Sequence, residues 1–126
     1  MKKSIHTLRA PAPIGPYSQA VSVGNFLFVS GQIAINPEDQ EFTKGTIEEE
    51  THQVMKNIQA ILQEAELNLD HIVNSTIYLK NFNDFAKVNS VYETYLKRPY
   101  PARTTIEVSR LPKDVNIEIA IIASLV

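Results

Sequence analysis

What most limits the folds open to this chain is the way its apolar residues change period. From Ala20 to Ile35 they run as extended, largely apolar backbone, and from Thr46 to about Glu66 they recur at helical spacing. The two modes then exchange again towards the C-terminus. "AVSV" (20–23), the turn pair "GN" (24–25) and "FLFVSGQIAI" (26–35) read as a hairpin. The second run places Phe26 and Phe28 on one face and Leu27, Val29, Ile33 and Ile35 on the other, which predicts a strand covered on both sides. Between 46 and 66 the stripe is Ile47, Val54, Ile58, Ile61, Leu62 and Ala65. Thr46 is the expected N-cap, Glu49 completes a capping box, and Glu48, Glu49 and Glu50 sit where the helix dipole favours acids. "HIVNSTIYLK" (71–80) alternates again, with Val73, Ser75, Ile77 and Leu79 on one face. "NDFAKVNSVYETYLK" (83–97) returns to the helical period through Phe85, Val88, Tyr92, Tyr95 and Leu96. Two strands, 103–109 and 116–125, joined by "RLPKD", close the chain. The order β-β-α-β-α-β-β predicts an α+β sandwich with both helices on one face of a sheet.

The 126 residues fit a single domain, 1–126. "APAPIGPYSQA" (10–20) is an extended loop, because a residue before proline is pushed out of the helical region, and "NPEDQEF" (36–42) reads as a surface loop. A formal net charge of −2 supplies no basic field, so no nucleic-acid partner is expected. The absence of cysteine removes disulfides, thiolate nucleophiles and Cys-based zinc sites. "MKKSIHTLRA" is followed by no apolar core of a signal peptide, and no run reaches a membrane span, so a cytoplasmic protein without membrane contact is expected. His6, His52 and His71 lack metal-ligand spacing, no G-x-S-x-G surrounds a serine, and no glycine-rich phosphate loop occurs. Neither metal nor cofactor is expected.

The last two strands carry the polar residues that ask for a role. Alternation puts Thr104, Ile106 and Val108 on one face of the first and Arg103, Thr105 and Glu107 on the other. In the second strand Ile117, Ile119 and Ile121 share the core face, leaving Glu118, Ala120 and Ile122 opposite. An acid among apolar residues on a face turned away from the helices predicts contact with another copy of the chain. The expectation is that Arg103 and Thr105 lie on this same face. Arg103 is then either a surface or inter-subunit charge, or a planar fork binding a small carboxylate in a cleft. Tyr17 is a packing residue or an aromatic wall, Ser30-Gly31 a bulge or a close approach of ligand to backbone, and Asn89 a solvent-exposed helical residue or a polar contact.

At "APIGPYSQAV", "FVSGQIAINP", "NDFAKVNSVYETYL" and "PARTTIEVSRLPKDVNIEI" the sequence resembles the RidA (YjgF) family of reactive-intermediate deaminases over nearly its whole length. The resemblance implies a chorismate-mutase-like fold, a mixed sheet with two helices packed on one face, and a homotrimer with a ligand cleft at each subunit interface. It implies hydrolysis of enamines and imines, such as 2-aminoacrylate, to 2-keto acids and ammonia, without a cofactor. Arg103 matches the arginine that binds the substrate carboxylate, and Gly31 the residue whose backbone N–H helps hold it. Tyr17, Ser30 and Asn89 match cleft residues, and Thr105 stands where many members have cysteine. The stretch "IEIAIIA" (117–123) departs from a family "IEIEAIA", which places Ala120 where a water-positioning acid is expected and implies weak hydrolysis. The alternative is a non-catalytic trimeric module that binds 2-keto acids in a regulatory or protein-interaction role.

Overall fold

A computed structural model describes residues 1–126. Eight strands and two helices follow in the order β1 (Lys3–Ile5), β2 (Ala20–Val23), β3 (Phe26–Gln32), β4 (Ile35–Asn36), β5 (Glu41–Phe42), α1 (Ile47–Glu64), β6 (Ile72–Leu79), α2 (Phe85–Tyr95), β7 (Ala102–Glu107) and β8 (Ile117–Ser124). Six strands form one sheet in the order β1-β2-β3-β8-β6-β7, and β4 and β5 form a separate two-stranded ribbon. Only β6 and β7 run parallel, as two strands joined through a helix must when they are neighbours here; the remaining pairs are antiparallel. The α+β architecture with a mixed sheet is the one expected. The loop expected at 36–42 contains the β4–β5 ribbon, whose reversal uses Gln40 in the left-handed region (φ 59°).

Helix α1 starts where its chemistry says it should. The Thr46 hydroxyl accepts the Glu49 N–H at 3.2 Å, and the Glu49 carboxylate accepts the Thr46 N–H at 3.2 Å. Its inner stripe, Val54, Met55, Ile58, Ile61 and Leu62, is buried against Leu27 and Val29 of β3, Ile77 and Leu79 of β6, and Ile117, Ile119 and Ile121 of β8. One inward residue is not apolar. Glu50 is 1% exposed, and its carboxylate accepts the Asn116 backbone N–H at 3.2 Å and an Asn116 side-chain N–H. The first turn of α1 is thereby tied to the residue that opens β8.

Two strands depart from simple alternation, each through a register shift. In β3 the pairing with β8 slips between Val29 and Gln32, so Ser30-Gly31 forms a bulge. In β6 it slips between Ile72 and Asn74. Ile72 therefore joins Ser75, Ile77 and Leu79 in the core, and Val73, expected to share the face of those three, turns outward.

The second face of the sheet carries no helix. Phe26 (45% exposed), Phe28 (41%), Val73 (41%) and Ile106 (41%) lie exposed in the isolated chain, most of them alternating with buried neighbours on their strands. The double coverage expected of the 26–35 strand is thus half supplied by this chain.

The Glu50–Asn116 link yields a stability prediction. Glu50→Ala leaves two Asn116 donors without a partner, at a cost of about 1–3 kcal/mol, whereas Glu50→Gln retains one acceptor and loses less. Urea denaturation should show a lower midpoint for Ala than for Gln, both below the parent, with an unchanged slope.

Candidate functional site

Arg103 enters β7 between prolines 101 and 112, on the edge strand of the sheet. In-register pairing sets it beside Ser75 of β6, with Thr105 beside Ile77 and Glu107 beside Leu79. Those β6 residues face the helices, so Arg103 does too. This corrects the expected face. Arg103 and Thr105 point towards α2, whereas Glu118 and Ala120 of β8 pair with Tyr78 and Thr76 on the open face. Alternation within a strand says which residues share a side, but only pairing with the neighbour says which side is covered. At an edge strand the helix layer thins, so an arginine can occupy the helix side and still reach water.

The guanidinium has a built surround. An Nη1–H donates to Asn89 Oδ1 on α2 at 2.5 Å. Its carbon lies 5.3 Å from the Tyr92 ring centre and 5.5 Å from that of Phe85. Tyr92 Oη donates to Ser75 Oγ at 2.8 Å, and burial raises the Tyr92 hydroxyl above its ordinary range, against the opposing pull of Ser75 and Arg103. No carboxylate of the chain neutralises Arg103: the two ion pairs are Lys80–Asp114 and Lys97–Asp70. Arg103 instead opens onto a cleft of about 460 Å³ lined by Asn89, Tyr92, Glu93, Tyr100 and Pro101. Asn89 is therefore half-buried and engaged rather than a solvated helix residue. Thr105 lies behind Arg103, with its hydroxyl buried and without a hydrogen-bond partner.

A second set of residues gathers at the β3 bulge. A β-carbon added at Gly31 would collide with the Glu118 carboxylate, so only glycine lets that acid lie across the bulge. Burial raises the Glu118 carboxyl above its ordinary 4.5. Ser30 Oγ donates to the Ser18 carbonyl at 2.6 Å, which ties the bulge to the 10–20 loop. Gln19 secures that loop, accepting the Thr7 N–H at 2.7 Å and donating to the Thr7 and Pro11 carbonyls. Tyr17, exposed on the loop, accepts the Ile14 N–H at 3.3 Å and lines a hollow of about 80 Å³ with Gly31, Gln32, Ile33 and Lys113.

Ala120, expected to mark a missing acid, pairs with Thr76 of β6 and, between the Val29–Ile121 and Gln32–Ile119 pairs, stands opposite the Ser30-Gly31 bulge. The acid beside Gly31 is Glu118. Sequence reasoning passed over Glu118 as a site residue, although an acid on an otherwise apolar strand face was the available signal. Its neighbour could not be read in advance, because the bulge sets which β8 residue meets Gly31.

The predicted residues thus fall into two groups in one chain. Asn89, Arg103 and Thr105 lie at the β7 edge under α2; Tyr17, Ser30 and Gly31 lie around the β3 bulge. Strands β8 and β6 intervene, a separation of about 14 Å, and the groups occupy opposite faces. No cluster of His, Asp and Glu is placed to hold a metal ion.

Fold and site together define a class: a small α+β sandwich with one helix-covered sheet face, one bare apolar face, and an unneutralised arginine at the sheet edge. The family model described as Endoribonuclease L-PSP matches residues 7–125. A RutC family protein of Pyrococcus abyssi is 57% identical over 122 residues, covering 97% of this chain and 96% of its own. The crystal structure of the Rid-family protein YyfA of Yersinia pestis superposes with a TM-score of 0.96 at 46% identity, covering 98% of this chain and 99% of that one. Escherichia coli TdcF, crystallised with bound serine, gives 0.92 at 38% identity, with 97% and 98% covered. The chain belongs to the RidA (YjgF) family.

The raised Glu118 carboxyl has a testable sign. A carboxyl with a higher pKa in the folded than in the unfolded state favours folding when protonated. That advantage is present below the unfolded value and is lost as pH rises through the folded one. Glu118→Gln should therefore be at least as stable as the parent at pH 7, with its advantage shrinking as pH falls towards 4. Paired urea titrations at the two pH values measure this.

Proposed function

We propose that the chain hydrolyses 2-iminobutanoate, 2-iminopropanoate and their enamine tautomers to 2-keto acids and ammonia, as a homotrimer whose sites combine two copies. The observation that carries this reading is Arg103: a guanidinium held by Asn89 and two aromatic rings, facing a cleft, with no carboxylate of its own chain to pair it. Such a planar fork suits a two-point contact with a small carboxylate. The serine bound to TdcF is a ligand of that class in a relative.

The bare face supports the second copy. Apolar residues there need cover, and the bulge carrying Gly31 and Glu118 lies too far from Arg103 in one chain to share one small molecule with it. In the proposed trimer, Arg103 of one protomer anchors the carboxylate while the Gly31 bulge and Glu118 of its neighbour face the C=N bond. Water adds to the imine carbon and the nitrogen takes up a proton. The resulting carbinolamine releases ammonia, the hydroxyl proton leaves, and the carbonyl forms. Glu118, whose raised pKa brings proton exchange closer to neutrality, positions the water and relays these protons. No redox step or activated carrier enters the balance.

The non-catalytic alternative keeps the Arg103 anchor and has no use for Glu118, so one variant separates the two. Glu118→Gln should lower ammonia release from 2-iminobutanoate, generated in situ by a threonine dehydratase, by about 10²- to 10⁴-fold, with 2-ketobutyrate binding retained. Equal rates would favour the binding module. Arg103→Lys should weaken 2-ketobutyrate by roughly 10- to 150-fold, nearly as much as Arg103→Ala, because lysine keeps the charge and loses the fork. Sedimentation of the parent and both Arg103 variants should give about three times 14.2 kDa. A dissociated trimer with unchanged affinity would make Arg103 an assembly residue.

A further inference from the structure

Arginine at the exposed start of an edge strand is ordinarily a mobile charge. Its flexible side chain sweeps through water, and a carboxylate must immobilise it on binding. Here the side chain is enclosed before any ligand arrives. Tyr92 is 6% exposed, and its ring lies 5.3 Å from the guanidinium carbon. Its hydroxyl is fastened to Ser75 Oγ at 2.8 Å, and Ser75 is fully buried on β6 at the register position beside Arg103 itself. Phe85 lies 5.5 Å from the same carbon and is backed by Phe82, whose ring stacks on it at 5.1 Å with planes 9° apart. Asn89, one helical turn from Phe85 on α2, takes a single N–H.

We infer that Tyr92, anchored by Ser75, and Phe85 are positioning residues for Arg103: they fix the guanidinium against the α2 wall so that Asn89 satisfies one N–H and the unused donors are presented to the ligand carboxylate. This deepens the carboxylate-anchor reading and rests on it. Three features assign more than packing to the pair. Both rings come from the helix that supplies Asn89, so a single rigid element sets these three contacts of the guanidinium. The tyrosine hydroxyl is spent on the strand next to Arg103, which locks the ring at the height of that side chain. Aromatic faces leave the guanidinium N–H donors free, whereas an acid in the same place would have consumed them. The pair therefore orders the fork without competing for it. The contact is to a part of the substrate that does not react, so its loss should raise KM and leave kcat nearly unchanged.

The test compares 2-ketobutyrate with its neutral amide, 2-ketobutyramide, by calorimetric titration. The parent should prefer the carboxylate. Tyr92→Leu should weaken 2-ketobutyrate by about 3- to 30-fold and leave the amide within about twofold, which shrinks the preference. Tyr92→Phe keeps the ring and loses the anchor, and should fall between Leu and the parent. Phe85→Leu, at a half-buried position, should reproduce the loss and stands in if Tyr92→Leu does not fold. Steady-state rates should show the change in KM. Leucine variants that retain the parent's preference for the carboxylate would overturn the inference. So would equal weakening of both ligands, which marks a merely structural role, or a Tyr92→Phe variant as damaged as Tyr92→Leu, which would give the effect to the hydroxyl alone. Arg103→Ala separates this from the underlying reading. If it keeps the preference, the carboxylate anchor itself is wrong; if it loses the preference while the Tyr92 and Phe85 variants keep it, only the positioning role falls.

Discussion

Everything in this structure depends on the sidedness of β8. The strand is hydrogen-bonded along both edges, to β3 and to β6, and Ile117, Ile119, Ile121 and Ala123 fill the core beneath the helices. With a period of two, Glu118, Ala120 and Ile122 are carried to the opposite face. Moving them inward would expose the isoleucines, so the acid is held on the bare side by the hydrophobic demand of its neighbours. Glu50, through Asn116, pins where this alternation starts.

The same sheet then separates two kinds of polar chemistry. On the helix side, at the thin edge, a guanidinium is packed between aromatic rings of α2 and left without a countercharge. On the bare side, at a bulge in β3, a carboxylate lies across a glycine and is pushed towards its neutral form by burial. Cation and acid are kept from pairing by the thickness of the sheet and two intervening strands. Had they met within one chain, each would have neutralised the other, and neither would have been available to a ligand.

Much of this was legible in the residues. The Thr46–Glu49 capping box, both helices, the hairpin read over 20–35 (its second strand ending at Gln32) and the core faces of α1 and β8 followed from local rules, because each depends on spacing along one element. The prominence of Arg103 and Gly31 came from motif resemblance, and the structure gives both a physical setting. What misled was always a relation between elements. Val73 was grouped with Ser75, Ile77 and Leu79 because alternation was counted through a register shift that only the pairing with β8 reveals. Arg103 and Thr105 were placed on the face of Glu118 because nothing in β7 alone says which side its parallel neighbour will cover. That the Glu118 carboxylate lies against Gly31 went unread, because the contact across the β3 bulge is set by register rather than by motif.

By itself, then, the sequence determined the kinds and order of the elements, the inward stripe of each helix, and the presence of one arginine in a strand fenced by prolines. These are consequences of backbone sterics and hydrophobic period acting over a few residues. Tertiary structure alone decided which faces those strands turn to the helices, which acid lies against Gly31, and which rings enclose Arg103. Those outcomes depend on registers and bulges set by strands and helices distant in the chain, where a shift of a single residue moves a side chain to the other side of the sheet.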